Sequence, residues 1–194
     1  MRIGIDISQI AYEGTGVANY ARNLVENLLR IDKENEYILF FSSLRREIKN
    51  EKWTQSKIAT PANGGIKIKN DNVKLKKFKF PPIFLDFLWN RLHILPIENL
   101  IGDVDVFITS DWTEPPTKKA KKATIIYDLI VYKHPEETDK RIVETQKRKL
   151  EWVKKESDLI ICISEATKKD AMEILGIEEK RLKVIYPGGL PFTP

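Results

Sequence analysis

The stretch MRIGIDIS (residues 1–8), followed by QIAYEGTGVANY (9–20), decides how the rest of the chain is read. MRIGIDIS is a short apolar run of strand character. After the loop comes an amphipathic helix over 17–31, with Val17, Ala21, Leu24, Val25, Leu28 and Leu29 on one face. Gly14 and Gly16 mark the point where loop becomes helix. Glycine has no Cβ, so backbone N–H groups there can approach an anion closely. The helix start adds unpaired donors and a partial positive charge. Strand, glycine turn and helix N-terminus together form either a seat for a phosphate or, without a ligand, a plain structural turn.

The alternation continues outward from this unit. Strands are expected at 36–42 (EYILFFS), 72–80 (NVKLKKFKF), 104–109 (VDVFIT), 123–127 (ATIIY), 158–163 (DLIICI) and 181–186 (RLKVIY). Helices are expected over roughly 83–95, over 138–156 with Ile142, Leu150 and Val153 as its inner stripe, and from an N-cap at Ser164 to a stop at Gly176. Residues 43–70, with Pro61, Gly64 and Gly65, read as loop. Short, nearly continuous apolar strands alternating with helices predict an α/β fold, a doubly wound and mostly parallel sheet. Ligands of such sheets gather at the carboxyl ends of the strands. Four of those ends carry polar or glycine-rich sequence: Ser8 to Gly16, Ser110-Asp111-Trp112, Tyr127-Asp128 and Ser164-Glu165. They are expected to converge on one rim.

Composition narrows the choices. The 194 residues suffice for one sizeable core, and 42% hydrophobic with 31% charged residues excludes a chain without a core. The single cysteine, Cys162, excludes an internal disulfide and reads as a small buried hydrophobe. With only His93 and His134 beside it, no zinc-type ligand set is expected. The net charge of +5 is concentrated in KLKKFKF (74–80) and KKAKK (118–122). Both clusters read as solvated faces, and neither has the aromatic and glycine pattern of a nucleic-acid platform. The start of the sequence has no apolar leader, so the expectation is a cytoplasmic protein, with peripheral contact to a membrane surface left open.

Gly14-Thr15-Gly16-Val17-Ala18-Asn19 approaches the dinucleotide fingerprint G-x-G-x-x-G, but Asn19 replaces the third glycine. Phe40-Phe41-Ser42-Ser43 offers no acid for a ribose hydroxyl, which argues against a nicotinamide cofactor. Asp103-Val104-Asp105 has a D-x-D spacing but opens a strand at the far edge, where it reads as turn chemistry rather than a metal site. Asp128 can orient a hydroxyl or move a proton, or it can cap a turn. Ser164 is an N-cap that can also serve a ligand. Asp111 and Trp112 fit an acceptor pocket with the indole as a sugar platform, or plain loop packing.

The order of MRIGIDIS, GTGVANYARNL, ENEYILF, DVFITSDWTEPP, TIIYDLIVYKHPEE, DLIICISEATKKDAMEILGI and RLKVIYPGG resembles the N-terminal domain of the retaining family 4 (group 1) glycosyltransferases. These have the GT-B architecture, and the likeness is strongest to the mannosyltransferase-like branch. The resemblance implies a Rossmann-like, acceptor-side domain over 1–186 and the start of a linker over 187–194. A donor-binding domain would be supplied in cis or in trans. It implies transfer of a hexosyl group, mannosyl in that branch, from a nucleoside-diphosphate sugar to a glycan, lipid or small-molecule acceptor. Anomeric configuration would be retained, with neither metal nor other cofactor. Carried over by position, Gly14, Thr15 and Gly16 lie by the donor diphosphate and Tyr127 and Asp128 form the catalytic pair. Asn19, Tyr20, Asp111 and Trp112 face the acceptor, and Ser164 and Glu165 stand elsewhere on the rim. Tyr127 occupies the place of a histidine in the family, and a phenol with a pKa near ~10 donates a hydrogen bond but is a poor base at neutral pH. The donor-side arginine, lysine and glutamates of the family have no counterparts in this sequence, so the chain alone is expected to be inactive. A non-catalytic binding or partner subunit with the same fold is the alternative.

Overall fold

In a computed structural model, which describes residues 1–48 and 72–188, seven strands form a single, wholly parallel sheet. They are β1 (Arg2–Asp6), β2 (Glu36–Ser42), β3 (Val73–Phe78), β4 (Val106–Thr109), β5 (Lys121–Ile126), β6 (Leu159–Cys162) and β7 (Leu182–Val184). Their order across the sheet is β3-β2-β1-β4-β5-β6-β7. The order reverses between β1 and β4, the switch point beside which doubly wound sheets bind ligands. Most of the expected loop over 43–70 lies outside the described residues. So does the end of the expected linker.

The strand β2 runs as the sequence predicts, since an uninterrupted apolar run suits a strand covered on both faces. Its alternate residues serve two cores. Tyr37, Leu39 and Phe41 join Ile5, Val25 and Leu29 beneath the helix α1 (Gly16–Ile31). Ile38 and Phe40 face the other way, onto Leu85, Trp89 and Phe107. Gly4 is needed where Phe107 crosses β1, because a Cβ there would stand 2.6 Å from Phe107 Cδ2. A third core joins β5, β6 and β7 to the helices α5 (Lys140–Glu156) and α6 (Glu165–Leu175) through Ile126, Val153, Ile160, Ala171 and Leu175. Ser164 caps α6 by accepting from Thr167 N at 3.0 Å, and Gly176 ends it in the left-handed region.

One helix differs from its expected form. The segment 83–95 winds as a short helix α2 (Pro82–Leu85), then as a wider turn over Asp86–Arg91, and stops there. His93 and Leu95 take positive φ values of 51° and 64°. Pro96 disfavours helix at Leu95. Trp89 holds the reversal, its Nε1 donating to Leu95 O at 3.0 Å and its carbonyl contacting His93 Nδ1 at 2.8 Å. Two short helices complete the fold: α3 (Glu98–Ile101) and α4 (Ile130–Lys133). Among the described residues, no helix is long and apolar enough to cross a membrane.

Candidate active site

The carboxyl ends of β1, β4 and β5 and the start of α1 meet along one edge of the sheet. Thr15 is the N-cap of α1; its Oγ1 accepts from Ala18 N at 3.2 Å and donates to Tyr12 O at 3.0 Å. Gly14 makes the preceding turn with φ of 86°, a conformation that side-chain-bearing residues rarely take. The amides of Gly16 and Val17 stand in the first helical turn, where a helix has no partner of its own to offer them.

A cleft of about 860 Å³ opens from this point. Gly16, Asn19 and Tyr20 of α1 line one side, Tyr127 and Asp128 another, and Ile185 to Gly188 a third. Tyr20 is buried, meets Tyr127 edge to face at 5.5 Å and donates to Ile185 O at 3.3 Å, so its hydroxyl ties α1 to the end of β7. Tyr127 OH lies 2.9 Å from Ser110 Oγ. Burial pushes the Tyr127 phenol well above its ordinary value, so it stays neutral and serves as a hydrogen-bonding group. Asp128 is exposed. Its Oδ1 accepts from Ile130 N at 3.0 Å and so opens α4.

Asp111 and Trp112 lie across Tyr127 in a neighbouring pocket of about 240 Å³, lined also by Gln146 and Lys149. Gln146 Nε2 donates to Asp111 O at 3.0 Å and to Oδ1 at 3.1 Å. Burial raises the Asp111 carboxyl, against the pull of Lys149. The structure thus brings Gly16, Asn19, Tyr20, Tyr127, Asp128, Asp111 and Trp112 around two adjoining cavities. Gly14, Thr15, Ser164 and Glu165 line neither. The oxygen of Ser164 is spent on capping α6, and Thr15 on α1. Asp103 and Asp105 stand at the opposite, amino edge, where Asp105 accepts from Arg2 N at 2.7 Å.

Beneath this rim runs a buried ionic network that the sequence did not announce. Lys122, expected on a solvated face, is buried, with Nζ 3.2 Å from Glu114 Oε1 and 2.9 Å from Glu156 Oε2. Glu114 accepts from Thr109 Oγ1 at 2.6 Å and from Thr124 Oγ1 at 3.3 Å. Glu156 reaches His93 Nε2 at 2.8 Å, and the His93 ring stacks on Trp152 at 3.6 Å. Lys149, on the inner face of α5, donates to Ser110 O and is surrounded by Glu114, Asp111 and Asp6. Burial lowers its ammonium and raises the Asp6 carboxyl. One signal was available: Lys149 stands at helical spacing from Ile142 and Val153, on the inner stripe of α5. Lys122 carried none, because β5 is buried on both faces and strand parity does not set it apart from Lys121. Glu114 carried no such mark.

Comparison with known proteins places this geometry. The family model described as Glycosyltransferase Family 4 matches residues 14–188. No curated protein matches the sequence. Among solved structures, an alpha-glucosyltransferase in complex with UDP and a 13-mer DNA containing an HMU base aligns at 13% identity with a TM-score of 0.48. The alignment covers 97% of this chain and 43% of that one. This chain therefore spans less than half the length of that protein.

Proposed function

The chain belongs to glycosyltransferase family 4, and on that footing we propose that it forms the acceptor-side wall of a GT-B cleft. The reaction is transfer of a hexosyl group, mannosyl in the first instance, from a nucleoside-diphosphate sugar to an acceptor hydroxyl with retention. Gly14 and Thr15 shape the turn, and the amides of Gly16 and Val17 meet the donor diphosphate. As leaving-group charge develops there, fixed N–H dipoles stabilise it without a cation. Tyr127 and Asp128 stand at the sugar end. The neutral phenol donates to a sugar oxygen, and the free oxygen of Asp128 accepts from a hydroxyl. Asn19, Asp111 and Trp112 hold the acceptor, with the indole face as a platform, and the Tyr20 ring bounds the cleft beside them. A donor-binding domain, in cis or in trans, closes the open side, and without it turnover stays at background.

One observation carries this reading: the α1 start and the Tyr127-Asp128 pair line the same open cleft, beside the carboxyl ends of β5, β6 and β7. The test is calorimetric titration of the chain with UDP-, GDP- and ADP-sugars, wild type against Gly16→Asp. A Cβ at Gly16 meets nothing within 4 Å, and an acid in a first helical turn favours the helix, so the variant folds. Its carboxylate repels the diphosphate. Weak binding by wild type and loss in Gly16→Asp is the expected result. Equal binding by both proteins refutes the diphosphate seat, and substantial transfer by the chain alone refutes the need for a second domain.

A further inference from the structure

Two cavities at the rim meet at Trp112 and Ile142, which line both. The first is the pocket holding Asp111, Tyr127, Asp128, Gln146 and Lys149. The second is a groove of about 180 Å³ between α2 and α5, bounded by Pro82, Ile83, Trp112, Ile142 and Thr145, with Asp86 and Arg141 beside them. Its accessible surface is almost entirely apolar. Ile83 is 83% exposed, and Phe84 and Phe87 beside it are 43% and 50% exposed. Bare side chains of this size, next to a groove that opens into a pocket with convergent polar groups, mark a surface that a ligand covers.

The first pocket has an apolar wall with a few convergent polar groups, and these do not select an anion. Two carboxylates, Asp111 and Asp128, stand against one ammonium, and Lys149 is already committed to Ser110 O and to Asp6 and Glu114. Its free acceptors suit the hydroxyl groups of an uncharged polyol. From this pairing of a hydroxyl-binding pocket with an apolar groove, we infer that the acceptor is an amphiphile. Its hydroxylated head sits over Asp111 and Tyr127, and its aliphatic tail runs past Trp112 between Ile83 and Ile142. The inference rests on the transferase reading of the pocket, which it deepens by naming the acceptor's chemistry.

The experiment titrates the full chain with butyl, hexyl and octyl glucosides below their critical micelle concentrations. Calorimetry and the fluorescence of the Trp112 region report binding, with Ile83→Asp and Asp111→Asn as variants. Ile83 is exposed, so its variant keeps the fold. Wild-type affinity should rise about two- to threefold per methylene, short of the roughly fourfold that full burial of a CH₂ brings. Ile83→Asp should flatten that slope, with the largest loss for octyl glucoside and the smallest for butyl glucoside, and Asp111→Asn should weaken every member alike. A flat wild-type series overturns the inference, as does an unaltered slope in Ile83→Asp or equal affinity for the corresponding alkanols without a sugar. Binding to phosphatidylcholine vesicles without binding to the monomeric glucosides overturns it in favour of a bilayer contact. The two readings fail separately. Nucleotide-sugar binding with a flat glucoside series refutes the amphiphile alone, whereas a steep series without nucleotide-sugar binding upholds the amphiphile seat and refutes the diphosphate seat.

Discussion

Replacing Lys122 by methionine tests whether the rim rests on its buried ionic network. The substitution keeps the aliphatic stem and removes the charge. The side chains of Lys122 and Glu114 are 2% and 0% exposed, with Glu156 at 33%. Removing one partner of a buried pair leaves the other uncompensated, at a cost of about 3–5 kcal/mol. Glu114 keeps the hydroxyls of Thr109 and Thr124, so the low end, about 3 kcal/mol, applies here. For a chain of this size that lowers Tm by roughly 6–12 °C. Lys121 provides the control within the same lysine run. It points to the other face and pairs with Asp158 at 2.9 Å, with side-chain exposures of 74% and 44%. Lys121→Met should therefore cost about 0–1 kcal/mol. Urea unfolding followed by circular dichroism measures both variants. Equal losses for Lys121→Met and Lys122→Met would refute the reasoning, since the argument depends on the difference in burial between neighbouring lysines.

Three further outcomes follow from the same contacts. Burial raises the Asp6 carboxyl, so the folded state holds its proton more tightly than the unfolded chain does. Its contribution is complete below the ordinary aspartate pKa of ~3.9 and is lost as pH rises through the raised folded value. Asp6→Asn should therefore gain stability relative to wild type as urea unfolding is repeated from pH 4 to pH 7, and a falling difference would contradict the assignment. Burial also pushes the Cys162 thiol up to about 11, so the native protein should resist Ellman's reagent at pH 8 and react stoichiometrically in urea. Gly4→Ala places a Cβ against Phe107 and should cost about 1–3 kcal/mol through overpacking. Phe107→Leu in the Gly4→Ala background should restore part of that loss in thermal melts.

The sheet was legible because its signals are local. EYILFFS needs both faces covered, and Ser164 and Gly176 punctuate α6 by the chemistry of caps. The rim followed from topology, which carries Tyr127 and Asp111 to adjoining carboxyl ends. What stayed hidden is the sign of a lysine's environment. In KKAKK, a buried lysine and a solvated one have the same letters, and only the partners distinguish them. Those partners lie at 8, 34 and 39 residues' separation for Lys122 with Glu114 and Glu156 and for Lys149 with Ser110. The turn at His93 was hidden for a similar reason, since the hydrogen bonds of Trp89 hold it and helical periodicity does not record them.

Which rim residues are available to a ligand can be argued by subtracting what the fold already uses. Ser164 spends its oxygen on α6, Thr15 spends its hydroxyl on α1, and Tyr20 spends its hydroxyl on Ile185. Each is explained without a ligand. Gly14 supplies only a backbone angle. Among the groups that remain are the first-turn amides of Gly16 and Val17, the second oxygen of Asp128, and the face of Trp112. The amides lie at the positive end of a helix, Asp128 lines the same cleft, and Trp112 lines both the Asp111 pocket and the apolar groove. A diphosphate, a sugar hydroxyl and an amphiphile's tail each match one of the three. The buried network then has a functional consequence as well as a structural one. Lys149 holds Ser110 O, and Ser110 Oγ meets Tyr127 OH, so the ammonium fixes the strand end from which Asp111 and the Tyr127 hydroxyl take their positions. The charge carried inside the fold thus sets the geometry of the groups left free at its edge.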